Sequence, residues 1–114
     1  ELLLQRDGID PRSVAGYDNT ELTHAAVAAF VASGMADVGI GVQTAAHRFG
    51  LHFIPLLKER YFFALPTEAL ARAEIQPVLA VLQSPAFVSR VAALKGYEAA
   101  GTGQVLSLAD AFPA

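Results

Sequence analysis

Thr23-His24-Ala25-Ala26-Val27-Ala28-Ala29-Phe30-Val31-Ala32-Ser33-Gly34-Met35-Ala36-Asp37-Val38-Gly39-Ile40-Gly41 carries the two signals that set the expected fold. Every side chain from Ala25 to Ala32 is apolar, which in a helix means burial on most sides. From Ala36 to Gly41 the pattern alternates with the two-residue period of a strand. Gly34 stands between the two, where a helix stops. On the N-terminal side, Asp18-Asn19-Thr20 is a cluster of helix-capping residue types. Asp18 and Glu21 have capping-box spacing, with Asp in place of the usual Ser or Thr. A helix is therefore expected over residues 21–33, preceded by a short apolar strand from Val14 to Tyr17. Strand, buried helix and strand within about thirty residues make a βαβ unit, whose crossover is right-handed.

Further out the same rules apply. Glu1 to Arg6 reads as the end of a helix, with Asp7-Gly8 as its stop and Pro11 in the loop beyond. Residues 43–49 form a short helix ended by Gly50. Residues 51–57 and 60–65 read as strands, the first an edge or bulged strand because of Pro55. Thr67 can cap a helix beginning at Glu68, and Pro77 divides that helix or begins a second one. Ser84-Pro85 is a helix start with Ser as N-cap and Pro in the first turn. Phe87, Val88, Val91 and Leu94 recur at helical spacing, and Gly96 closes that helix. Gly101-Thr102-Gly103 is a turn and Val105 to Leu108 a last short strand. The expected class is thus α/β.

Composition narrows the function. The 114 residues are 54% hydrophobic and only 17% charged, against about 25% charged in an average domain. Disorder is excluded, and the apolar surplus points to a covering partner, either the rest of a domain or a second subunit. Net charge is −3. The densest positive segment, Lys58-Glu59-Arg60, is broken by a carboxylate, so direct nucleic-acid contact is not expected. There is no cysteine, which removes disulfides and thiolate metal sites. No apolar run reaches the roughly 18 residues that span a bilayer. The chain begins at Glu1 and is expected to be a trimmed piece of a longer protein.

Motif tests for catalysis fail. Gly39-Ile40-Gly41-Val42-Gln43-Thr44 and Gly101-Thr102-Gly103-Gln104-Val105-Leu106 both lack the third glycine of a dinucleotide fingerprint. No phosphate loop and no nucleophile elbow occurs. His24, His47 and His52 have no zinc-ligand spacing. Asp37 and Glu59 are the only carboxylates near expected strand ends, and neither has a partner at motif spacing, so this segment is not expected to be an enzyme. One constellation remains. Ligands of open α/β sheets bind beyond the carboxyl ends of the strands, which here are followed by Asp18-Asn19-Thr20 and Val42-Gln43-Thr44. Free N–H groups at a helix start suit an anion. Asn19, Thr20, Thr23, His24 and Gln43 add neutral donors, and together they form the candidate ligand site. Plain capping is the commoner role of such Asx/Thr clusters at helix starts, and spacing leaves both roles open.

The stretch 23–41 also resembles the Val-Ala-Ser-Gly-x-Ala-Asp-x-Gly-x-Gly pattern of periplasmic-binding-protein-like domains, above all those related to molybdate-binding proteins. Leu51-His52-Phe53-Ile54-Pro55-Leu56, Glu59-Arg60-Tyr61-Phe62-Phe63-Ala64-Leu65-Pro66, Leu82-Gln83-Ser84-Pro85-Ala86-Phe87, Gly96-Tyr97 and Thr102-Gly103-Gln104-Val105 match in order. The resemblance implies a type II periplasmic-binding-protein-like fold, of which residues 1–114 are the C-terminal part. They would supply the second lobe, with its βαβ unit and C-terminal helices. It implies a ligand sensor that works by lobe closure, fused to a helix-turn-helix transcription regulator or a molybdopterin-biosynthesis protein. No cofactor is implied, but molybdate or tungstate is the first ligand candidate. The implied partners are that small molecule or oxyanion, the remainder of the same domain and, through the apolar surplus, further copies in a homo-oligomer. A regulator or cofactor-synthesis protein would be cytoplasmic. In molybdate carriers the helix start matching Thr23-His24 gives a backbone N–H to the oxyanion, and a tyrosine follows the next strand. Here Val42-Gln43-Thr44 takes that place, and Gln43 offers an amide donor. The alternative is a structural or oligomerisation module with no ligand.

Overall fold

Thr23 has extended backbone (φ −140°, ψ 153°), and its Oγ1 accepts a hydrogen bond from the Ala26 N–H at 3.0 Å. That cap fixes where the apolar helix begins. The computed structural model describes residues 2–113. In chain order the helices are α1 (Leu2–Arg6), α2 (His24–Ala32), α3 (Gln43–Arg48), α4 (Ile75–Gln83), α5 (Pro85–Ala92) and α6 (Leu108–Ala111), with 3-10 turns at Pro11–Ser13 and Thr67–Ala71. The chain divides into two units, Glu1–Phe53 and Ile54–Ala114.

In the first unit, α1 ends as expected at Asp7-Gly8, with Gly8 in the left-handed region (φ 70°). Glu1, the first residue of that expected helix, lies outside the described residues. The expected strand 14–17 is a tight turn. Tyr17 N–H donates to Val14 O at 3.1 Å and Asn19 N–H to Gly16 O at 3.0 Å. The turn takes Asp18 and Asn19 away from the helix, so the Asp18–Glu21 capping box does not form and α2 starts three residues later than expected. Its far end is as read, with Gly34 at φ 76°. Gly39 then lies tightly against α2. A β-carbon built there would sit 2.6 Å from Val27 Cγ1 and 3.3 Å from Val31 Cγ2. Only a residue without a side chain lets the extended run 36–41 approach so closely. α3 packs on α2 as well, and the buried residues of this unit are Ala28 of α2 and Ala45 of α3.

In the second unit α4 and α5 are joined through one residue. Ser84 is both the C-cap of α4 and the N-cap of α5. Its Oγ donates to Val81 O at 2.7 Å and accepts from Phe87 N–H at 3.2 Å. Pro77 neither divides α4 nor starts another helix. It lies in the first turn of α4, where the N–H it lacks has no intrahelical partner. Thr67 makes no side-chain cap, and its turn is 3-10. Of the expected apolar stripe, Phe87, Val88 and Val91 are half-buried, while Leu94 is exposed. Ser107 caps α6 from within the last expected strand, accepting from Asp110 N–H at 3.2 Å. Arg60 donates to Ala111 O at 3.4 Å and lies over the Phe62 ring, 5.0 Å from its centroid. Phe62 in turn meets Phe112 at 5.4 Å.

The α/β expectation is corrected here. The described residues are helical, with no strand and no sheet, so neither the βαβ unit nor the type II second lobe is present. The segments 36–41, 51–57, 60–65 and 105–108 do not pair. Within 36–41 and 52–65 no backbone group bonds another backbone group among the described residues. The reason is physical. Alternation records which faces are apolar, but a strand exists only when a neighbour supplies its ladder. The apolar surplus is visible as well. The buried hydrophobic residues among those described are four alanines, 28, 45, 69 and 111, and Ile40, Ile54 and Phe63 are each about four-fifths exposed.

Candidate functional site

Of the five candidate residues, the structure brings three to the start of the α2–α3 pair. His24 is the first residue of α2 and Gln43 the first of α3. The extended run that leaves Gly39 beside Val27 returns along α2 to its N-terminal end. A β-carbon on Gly41 would lie 3.6 Å from His24 Nδ1 and 4.0 Å from His24 O. Two residues later α3 begins, with Val42 as an N-cap that offers no side-chain acceptor. The two helix starts are therefore neighbours. Ala26 N–H is satisfied by Thr23 Oγ1 and Val27 N–H by Thr23 O. The N–H groups of His24, Ala25, Gln43 and Thr44 have no hydrogen-bond partner among the described residues.

These four donors and two dipole ends suit a small anion or a carboxylate. Thr23 is committed as a cap but keeps its hydroxyl proton to donate. The side chains of His24 and Gln43 are exposed and available. Among the described residues no carboxylate makes a hydrogen bond to any of them.

Asn19 and Thr20 are not brought to this point by any hydrogen bond. Asn19 folds back over its own turn, with its Nδ2 3.1 Å from a β-carbon built on Gly16. It lines an open depression of about 420 Å³ with Pro11, Arg12, Val14, Ala15, Gly16, Tyr17 and Asp18. The sequence reading missed the polar feature beside it. Asp10 caps the 3-10 turn by accepting from Arg12 N–H at 3.0 Å, and its carboxylate also takes Arg12 Nη2 at 3.0 Å. The Arg12 guanidinium, with its backbone N–H, holds the Asp10 carboxyl below the usual aspartate value. The signal was present in Asp10-Pro11-Arg12, where a carboxylate precedes a proline turn.

His47 and His52 are exposed. No group of His, Asp and Glu that could hold a metal ion occurs among the described residues. Asp37 makes no side-chain hydrogen bond there, and Glu59 accepts only from Tyr61 Oη at 3.2 Å. Lys58 pairs with Glu98. No helix among the described residues is long and apolar enough to cross a membrane.

The family described as the PBP superfamily domain matches residues 1–83, from α1 through α4. The chain belongs to this family. The match supports a periplasmic-binding-protein-like domain and, in general terms, a ligand-binding role. The chain is also similar to the uncharacterized protein YvgK of Bacillus subtilis (strain 168), with 39% identity over 101 residues, covering 87% of this chain and 32% of that protein. It is 34% identical over 101 residues to an uncharacterized protein in the ferredoxin 2Fe-2S gene 5'region of Clostridium pasteurianum, covering 88% of this chain and 89% of that one. The chain thus spans about a third of the Bacillus relative and most of the Clostridium relative. No solved structure matches.

Proposed function

We propose that this PBP-family segment contributes one wall of a small-ligand site, with the paired starts of α2 and α3 as the anion-facing element. The observation that carries the proposal is the approach of Gly41 to His24, which brings the starts of α2 and α3 close together, each with two N–H groups unpartnered among the described residues. Thr23, His24 and Gln43 then supply neutral side-chain donors, a set suited to an oxyanion such as molybdate or tungstate. The rest of the parent protein supplies the opposing donors and, in a regulator or molybdenum-cofactor protein, the part that responds. A cytoplasmic location accompanies that assignment. The proposed role is binding without catalysis, since neither Asp37 nor Glu59 has a second carboxylate or a nucleophile at motif spacing.

The test is thermal unfolding of the full-length natural protein with molybdate, tungstate and sulfate each in excess. At one hundred times the dissociation constant the stabilisation is about 2.7 kcal/mol, a rise of roughly 5–10 °C for a domain of about 200 residues. The expected result is a rise with molybdate and tungstate that Gln43→Ala and His24→Ala each reduce, while the ligand-free midpoint stays within a degree or two. A flat response to all three anions retires the oxyanion.

A second reading has its own support in the exposed apolar side chains of residues 54–65, including Ile54, Leu56, Leu57, Tyr61 and Phe63. Here the segment is a ligand-independent oligomerisation module. Light scattering that finds a monomer at every concentration eliminates it.

A further inference from the structure

We draw no further inference here: the strongest candidate, the exposed apolar extended segment 54–65 of the second unit, belongs to the second reading already given, and nothing in the structure shows what covers it.

Discussion

Residues 23–41 and residues 52–66 are both strongly apolar, yet they solve the backbone problem differently. The first begins with a capped helix whose N–H groups from Ala26 onward are bonded locally, and then an extended run lies against that helix through Gly39. The second is extended, and from residue 52 to 65 its peptide groups meet no other peptide group among the described residues. Helical hydrogen bonds are local in sequence and need nothing from elsewhere, whereas extended backbone depends on a neighbour. Apolar content alone therefore does not produce a core. Partners within reach along the chain do.

The sharpest way to break this comparison is at Gly39. Gly39→Val drives a branched side chain into Val27 and Val31, and overpacking of this kind costs about 1–3 kcal/mol. Urea unfolding measures it. A Gly39→Val variant as stable as the parent would show that the run 36–41 does not lie on α2. Next in size is the cap of α2. Thr23→Ala loses the bond to Ala26 N–H and costs about 1 kcal/mol, while Thr23→Ser retains most of it. Circular dichroism through the unfolding transition distinguishes the two variants.

Residues 52–66 are expected to be far less sensitive. Phe63→Ala removes a side chain that is 79% exposed, so the change stays within about 0.5 kcal/mol. A larger loss, or a midpoint that rises with protein concentration, would mean that another copy covers this segment, and the contrast between the two regions would then disappear in the assembly. The smallest effect belongs to Asp10. Its pKa is lowered on folding by the Arg12 guanidinium. The pair's contribution is therefore present above the ordinary aspartate value of 3.8 and is lost as pH falls through the lower folded value. A carboxyl titration followed by NMR should place its midpoint below 3.8, and Arg12→Ala, which removes the guanidinium but keeps the backbone N–H bond, should move it part of the way back.

Local punctuation was the part of the fold legible in the sequence. Gly8, Gly34 and Gly50 end their helices with positive φ, and Ser84-Pro85 starts α5 as read, because a stop or a cap is written within four residues. The strands expected from the sequence do not form among the described residues, since Val38, Ile54 and Phe63 announce an apolar face without naming a partner. The start of α2 is not legible from residue type, because Asp18 and Asn19 are better caps by type than Thr23, the cap that forms. Only the turn closed by Asn19 N–H on Gly16 O decides among them. The same turn explains the site. Gln43 is legible as a helix start, whereas Thr23 and His24 read only as first-turn residues of a helix beginning at 21, and Asn19 joins them only if a sheet rim forms, which it does not.

Ser84 has a consequence for the order in which the chain acquires structure. The contacts of its hydroxyl, with Val81 and Phe87, reach only three residues in either direction. The elbow between α4 and α5 therefore closes on the microsecond scale of helix formation, without waiting for distant chain to arrive. Gly103 packs against Leu82 so closely that a β-carbon there would meet backbone at 2.9 Å. That glycine turn needs α4 to be present before it can settle. During synthesis from the N-terminus the elbow emerges first, and the turn at 101–103 then settles against Leu82 and Gln83.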